Sequence, residues 1–511
     1  MRRAARIGYH EATTLGEAGP YGAAAGAEPV HHALSPLRQD IATTDVAAAL
    51  ARIVGKQNVL SDRTSMMTYE CDAASLYKSP PHVVVFPTTT EEVAEIVRYA
   101  NAGGIPFIPR GGGTGLSGGC LPAHGGIMIA LNKMDRILEL DIPNQRAVVQ
   151  PGVVNLWVTQ AAEPYGYHFA PDPSSQKACT IGGNVAENSG GPHTLKFGVT
   201  VNHVTGLELV LPDGDVVRLG GMMEEGVGYD LLGLVIGSEG TMGIATEITL
   251  KLTRNPEAFK TLLAVFDSID DASTTVSDII GQGIIPTALE MMDTLVIRAV
   301  EDAFDFGFPR DAAAVLIVEL DGVEAGMERQ ARRIVDICQS HRAREVRVAQ
   351  DMAERERLWK SRKQAFGALG RLSVSFLTQD GVVPRTRLPE VLRTVYDVST
   401  KYDLPIANVF HAGDGNIHPI MLFDERIPEQ CDLVLRASAD ILRKCVEVGG
   451  TITGEHGVGV EKIEFMPLLF RPRDLQLMRE LQTLFNPRNL CNPGKILPRE
   501  GTERACTHTD A

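Results

Sequence analysis

No two of the eight cysteines form a CxxC pair: Cys71, Cys120, Cys179, Cys338, Cys431, Cys445, Cys491 and Cys506 are scattered along 511 residues. That spacing excludes zinc and iron–sulfur motifs built on adjacent thiols and predicts reduced cysteines in a cytoplasmic protein. Positive charge is also short, with 49 Lys and Arg against 64 Asp and Glu for a net charge of −15. Such a surface repels phosphate backbones and anionic membranes, which argues against a nucleic-acid partner; its plainer meaning is solubility. No apolar run approaches the ~20 residues of a membrane span. Arg2, Arg3 and Arg6 have no hydrophobic segment behind them, so export is not predicted either. Bulky apolar groups are sparse before the first helical pattern at 47–54, so residues 1–45 are predicted to be a disordered tail. Glu11, Glu17 and Glu28 argue against a transit peptide there. No internal repeat is evident, and the length calls for roughly two to four domains.

Glycine, by contrast, is concentrated. The segment 109–119, PRGGGTGLSGG, lets backbone amides approach something large and negatively charged, for which a pyrophosphate is the natural candidate. Upstream, Thr89 and Glu92 form a capping-box pattern, and Val93, Ile96, Val97 and Ala100 share one face of the helix that follows. Gly103 and Gly104 stop that helix, and residues 105–108 read as a buried strand leading into the glycines. No Gly-Lys-Ser/Thr follows, so this is not a Walker loop. Gly113 to Gly118 satisfies GxGxxG, but Gly118, Gly119 and Pro122 argue against the helix that the dinucleotide motif needs. Alone, the segment has a flexible surface loop as its lesser alternative.

Two further patches rich in small residues, 171–191 (PDPSSQKACTIGGNVAENSGG) and 237–244 (GSEGTMGI), suggest one extended ligand. With these motifs the chain resembles the flavoproteins of the vanillyl-alcohol oxidase and p-cresol methylhydroxylase (PCMH) type. Within them it is similar to FAD-dependent 2-hydroxy-acid dehydrogenases, on the side of the catalytic FAD subunits of bacterial glycolate oxidase, over about 47–498. The resemblance implies an α+β fold: a PCMH-type FAD-binding domain of two α+β subdomains, a ferredoxin-like α+β cap, and a C-terminal segment returning to the flavin. It implies that Arg110, Gly111, Gly112, Gly113, Thr114, Gly115, Leu116, Ser117, Gly118 and Gly119 wrap the pyrophosphate. Pro173, Ser174 and Ser175, with Gly182, Gly183, Asn184, Ser189, Gly190 and Gly191, would line the flavin. Glu239, Gly240, Thr241, Gly243 and Ile244 would meet the adenosine and ribityl end, and Asn416 and Asn492 would add returning contacts. No histidine lies between Arg110 and Cys120, so FAD is expected to be non-covalent.

The boundaries read as 46–252 for the FAD domain, 253–455 for the substrate cap, 456–498 for the C-terminal segment, and a disordered tail at 499–511. Within the first, 127–131, 147–153 and 207–219 read as strands, the last with a hairpin at Asp213-Gly214. The cap carries a strand at 313–320 and a charged helical run at 327–337.

Chemistry is concentrated in HAGDGNIHP (411–419) and TGEHGVGVEK (453–462), whose glycines place the polar side chains on turns. His411, His418 and Glu455 have the donor types for a divalent metal such as zinc, although histidines seven apart can also be purely structural. The resemblance adds that matching residues in D-2-hydroxyglutarate and D-lactate dehydrogenases are metal ligands. His456 then looks like the base that takes the substrate hydroxyl proton, since an unperturbed imidazole titrates near ~6.5. Arg362 matches a carboxylate-clamping arginine of relatives; a salt bridge on a helix face is the alternative. Hydroxyglutarate enzymes carry a lysine just before the segment matching Asp380, and none occurs in 375–379 here, which favours a short substrate. Arg385 is a candidate stand-in.

The expectation is therefore an FAD-dependent dehydrogenase taking glycolate to glyoxylate, with D-lactate or D-2-hydroxyglutarate as alternative substrates. A flavin-dependent transferase of the alkyl-glycerone-phosphate synthase type and a non-catalytic FAD subunit are the competing classes. Electrons would leave through a second FAD-domain subunit and an iron–sulfur subunit, with any contact to the inner membrane made through those partners.

Overall fold

The computed structural model describes residues 43–223 and 227–499. The tails predicted at 1–45 and 499–511 fall almost wholly outside those residues; helix Thr43–Val54 opens the described chain.

Three parallel strands, Val83–Val85, Ile127–Ala130 and Phe107–Arg110, form the first sheet, with Val59–Leu60 antiparallel at its edge. Their uninterrupted apolar sequences suit a parallel sheet covered by other elements. Helix Thr90–Gly103 packs Val93, Ile96, Val97 and Ala100 into the core beside it. Thr89 caps this helix by accepting from the Glu92 amide at 3.2 Å, while Glu92 returns the favour one residue early, to the Thr88 amide at 2.6 Å. Gly104 ends it in the left-handed region, with φ 62°. The next strand runs two residues further than the apolar pattern suggests, to Arg110, so the glycine loop starts directly at its carboxyl end and contains no helix.

A second sheet is antiparallel, in the order Ile137–Asp141, Arg146–Val149, Ile244–Lys251, Val204–Val210, Val216–Gly220. The last two strands form the expected hairpin around Asp213-Gly214. Burial alternates residue by residue along Ile244–Lys251, the mark of a strand with one face on a core.

The third sheet has nine strands, all antiparallel, and helices on both faces. Ile269–Gly281, Met327–Ser340, Leu388–Tyr402 and Pro428–Glu447 bury amphipathic faces on one side. Thr294–Phe304, Met352–Lys363 and Ala365–Leu369 lie on the other. Met352–Lys363, sequence MAERERLWKSRK, has little apolar surface to bury, and polar pins hold it instead. Buried Glu319 accepts from Arg355 at 2.7 and 2.8 Å and from Trp359 Nε1 at 2.6 Å. Buried Glu290 accepts from Arg362 Nε at 2.7 Å. The pins at 355, 359 and 362 share one helix face, which sets Arg362 at a defined place over the sheet.

After helix Pro472–Phe485 the chain runs back to the first sheet, where Asn492 donates from Nδ2 to the carbonyls of Gly119 at 2.9 Å and Glu239 at 2.6 Å. The expected C-terminal return is thus a clamp between two glycine patches. Among the described residues no helix is long and apolar enough to cross a membrane.

Candidate active site

The three glycine patches converge on one cavity of about 420 Å³. Arg110, Gly111, Gly112, Gly113, Thr114, Gly115, Leu116 and Gly119 form one wall. Pro173, Ser174, Ser175, Gly182, Gly183, Asn184, Ser189 and Gly190 form a second, and Glu239, Gly240, Gly243 and Ile244 a third. The first wall lies at the carboxyl end of a parallel strand, where open α/β sheets present ligand sites. Its glycines also let loops touch one another: a Cβ on Gly112 would stand 2.5 Å from the Ala178 carbonyl, and one on Gly111 would collide with Thr180 Oγ1. Thr180 Oγ1, Asp72 Oδ2 and Glu187 Oε2 are buried at the cavity wall without a hydrogen-bond partner. Unpaired buried polar atoms around a space of this size, lined by backbone, fit a polar cofactor such as FAD.

Several expected contacts stand behind the wall instead of on it. Ser117 is fully buried, its carbonyl accepting from the amides of Val460 at 2.9 Å and Glu461 at 3.2 Å, and Gly118 lies against Val460. Gly191 packs on Asp172, and Thr241 turns its hydroxyl to the Ser238 carbonyl at 2.8 Å. Asn416 pairs in register with His411, and Asn492 acts through its clamp on Gly119 and Glu239. Arg110 contributes backbone: its guanidinium tucks under the loop, donating to the Cys71 carbonyl at 2.9 Å and to Cys120 Sγ at 3.2 Å.

At the other end of the cavity lie Arg362, His418, Glu455 and His456. His411, just behind them, ends strand Ile406–His411, whose register places it directly opposite Glu290 of Ala288–Asp293. His411 Nε2 and His418 Nε2 each lie 3.3 Å from the same Glu455 oxygen, Oε1. The opposite ring nitrogens are engaged: His411 Nδ1 with Glu290 Oε1 at 2.7 Å, His418 Nδ1 with the Gln379 carbonyl at 3.3 Å. The His456 ring stacks on His418 with centroids 5.1 Å apart. Asp380 fixes the loop that carries Glu455 and His456, its Oδ2 accepting from Thr453 Oγ1 at 2.6 Å and from the amides of Gly454, Glu455 and His456 at 2.9, 3.1 and 2.9 Å.

Charge and burial tune these groups in different directions. Burial would raise Glu290, but the His411 ring and the Arg362 guanidinium reverse this and hold it below the ordinary carboxylate range. Glu455 is held well below that range by His411 and His418 against the same penalty. Burial pushes His456 down to about 4, with Asp380 opposing and His418 and Lys462 reinforcing the shift. The imidazole is therefore neutral at pH 7, and further from the ordinary histidine value than the sequence suggests. In and behind the glycine wall burial prevails over charge: it raises Glu187 and Glu239, which line the cavity, takes Glu461 to about 7, and lowers Lys495 to about 8.

Sequence reasoning missed Glu290, one of two acids, with Asp293, in a strand otherwise apolar and buried throughout, where an ionised group demands partners. It missed Lys363, exposed at the cavity rim beside Phe366 and Phe376. Arg385, the candidate stand-in for the absent lysine, donates to the Gly413 carbonyl at 3.3 Å and does not line the cavity.

Backbone-walled space for an extended cofactor, closed at one end by imidazoles, a carboxylate and an arginine, defines a flavin-dependent oxidoreductase. Residues 81–220 match the family model for an FAD binding domain, and residues 255–496 that for the C-terminal domain of FAD linked oxidases. The chain belongs to the FAD-linked oxidase family, alongside the glycolate oxidase subunit GlcD of Escherichia coli strain K12, to which it is 45% identical over 90% of this chain and 92% of that protein. It is 32% identical to a D-lactate dehydrogenase of Anaerostipes hadrus, over 91% of this chain and 99% of that one. The fold is shared with p-cresol methylhydroxylase, at a TM-score of 0.72 and 17% identity, covering 89% of this chain and 96% of that one.

Proposed function

We propose that this chain oxidises a small D-2-hydroxy acid, glycolate foremost, to the corresponding 2-oxo acid. The observation that carries the proposal is that Arg362, His456 and the converging donors His418 and Glu455 share one cavity with the three glycine walls. FAD, held without a covalent link by the three glycine walls, would supply the hydride acceptor. A divalent ion such as zinc, on His411, His418 and Glu455, would supply a Lewis acid for the substrate hydroxyl oxygen. Two Nε2 atoms at equal distance from one carboxylate oxygen, with both Nδ1 atoms engaged elsewhere, support that donor set.

Arg362 orients the substrate: with Nε spent on Glu290, its terminal N–H groups remain for a carboxylate. Lys363 adds a second cation at the rim. His456, neutral at working pH, takes the hydroxyl proton at Nε2, the nitrogen 3.9 Å from Glu455 Oε1. Electrons leave through a second FAD-domain subunit and an iron–sulfur subunit, a reading supported by the similarity to a glycolate oxidase subunit and by the lack of cluster-binding cysteine spacing here. The chain meets the inner membrane only through those partners. The similarity to a D-lactate dehydrogenase supports D-lactate as the second substrate to try.

Anaerobic mixing of the FAD-loaded protein with glycolate should bleach the flavin absorbance, and prior chelation should slow the bleaching. A spectrum unchanged by glycolate, D-lactate and D-2-hydroxyglutarate alike rejects the proposal.

A further inference from the structure

We propose that Glu290 is the positioning residue that couples the two halves of the chemical end, aiming His411 and Arg362 with one carboxylate. The inference rests on the roles given above to those two residues. Each Glu290 oxygen makes one contact: Oε1 with His411 Nδ1 and Oε2 with Arg362 Nε, both at 2.7 Å. Glu290 is 1% exposed, His411 3% and Arg362 2%, so water can replace neither contact. By accepting from Nδ1, Glu290 leaves Nε2 as the His411 nitrogen turned toward Glu455 and open to a metal. By accepting from Nε, it fixes the plane of the guanidinium and leaves the terminal fork for the cavity.

A purely architectural role would tie helix Met352–Lys363 to the sheet, but that tie exists without it. Glu319 holds the same helix through Arg355 and Trp359, two and one turns earlier. What Glu290 adds is the simultaneous aim of an imidazole and a guanidinium that stand 49 positions apart in the chain.

Glu290→Gln separates the two roles. The amide has one acceptor oxygen and one donor nitrogen, so it cannot accept from both neighbours. Its N–H toward His411 Nδ1 would move the ring proton to Nε2, the wrong nitrogen. Zinc is titrated calorimetrically into chelator-stripped, FAD-loaded protein, and KM for glycolate is measured in parallel. Glu290→Gln should lose about 10- to 100-fold in zinc affinity and raise KM. Arg355→Met should lower the thermal midpoint while leaving zinc affinity unchanged. Should Glu290→Gln not fold, Glu290→Asp reads the same affinity, because the shorter side chain cannot span both donors.

Unchanged zinc affinity in a Glu290 variant with a native flavin spectrum overturns the inference, and so does an equal loss in Arg355→Met. Wild-type protein that binds no zinc while glycolate still bleaches the flavin overturns it and leaves the oxidation standing. Zinc affinity lost in the Glu290 variant, with no hydroxy acid bleaching the wild type, supports the positioning role and removes the substrate assignment.

Discussion

The two ends of the cavity are built from different material. The glycine-walled end presents mainly backbone, from three contiguous stretches at 110–119, 173–190 and 239–244. The chemical end presents side chains drawn from positions 362, 418, 455 and 456, aimed by Glu290 and Asp380 from elsewhere in the chain. A backbone surface needs local conformation and room, which short runs of glycine supply. A cluster of ionisable side chains needs long-range partners, because each charge out of water must be matched by another. Mutations at the chemical end should therefore change rate at constant cofactor content, and mutations at the glycine end should do the reverse.

The largest effect expected is at His456. His456→Ala removes the neutral imidazole and should slow anaerobic flavin reduction by about 10²- to 10⁴-fold, the usual worth of a positioned base. FAD content, read from the ratio of visible to ultraviolet absorbance, should stay as in the wild type. Loss of the flavin in this variant would break the contrast between the ends. Gly112→Ala is the counterpart. Its Cβ would lie 2.5 Å from the Ala178 carbonyl, which forces the first two walls apart. Overpacking of this kind costs about 1–3 kcal/mol. FAD affinity should fall by roughly tenfold, since ~1.4 kcal/mol is a factor of ten. Zinc affinity should hold.

The same contrast explains how far the sequence could be read. The capped helix at 90–103, the strand into the glycine loop and the hairpin at Asp213-Gly214 were legible because each is governed by residues a few positions apart. The wall residues were legible as stretches but not individually. Whether Ser117 or Leu116 faces the cavity depends on Val460 and Glu461, which pack behind the loop from the far end of the chain. At the chemical end the motifs exposed His411, His418, Glu455 and His456. Their aim was hidden, because Glu290 meets His411 only through strand register and Asp380 meets the 453–456 loop only through tertiary folding. Lys363 was hidden for a plainer reason: one more lysine in a charged helix carries no signal until the helix is pinned to the sheet.

Lys363 sharpens the comparison at a smaller scale. It lies exposed at the rim with no ion-pair partner among the described residues, so its pull on a bound carboxylate would be screened by water. Lys363→Met should raise KM for glycolate about three- to tenfold at low ionic strength and leave kcat close to wild type. Added salt should shrink the difference. A fall in kcat as large as the rise in KM would move Lys363 from the rim into the reacting centre.

The smallest effect concerns the acid that stands between the two ends. Glu461 joins the glycine loop through its amide, bonded to the Ser117 carbonyl at 3.2 Å, and faces the chemical end through Gln379, whose Nε2 donates to Oε1 at 2.7 Å. Burial lifts its carboxyl from 4.5 to about 7, with Lys462 opposing. As pH rises from 4.5 the unfolded chain gives up this proton first, while the folded protein keeps it to about 7. Its contribution is thus fully present at low pH, is lost across that window and is flat above it. Asp293 and Asp414, lifted to about 6 by burial, slope the same way, so the wild-type curve alone does not isolate Glu461. The difference between wild type and Glu461→Gln does, because the amide keeps the acceptor for Gln379 and cannot ionise. Thermal midpoints measured from pH 4.5 to 8 should show the variant gaining on the wild type as pH rises to about 7 and running parallel to it beyond. Parallel curves throughout would mean that the carboxyl titrates alike in both states, and that the space behind the glycine wall is wetter than its burial implies.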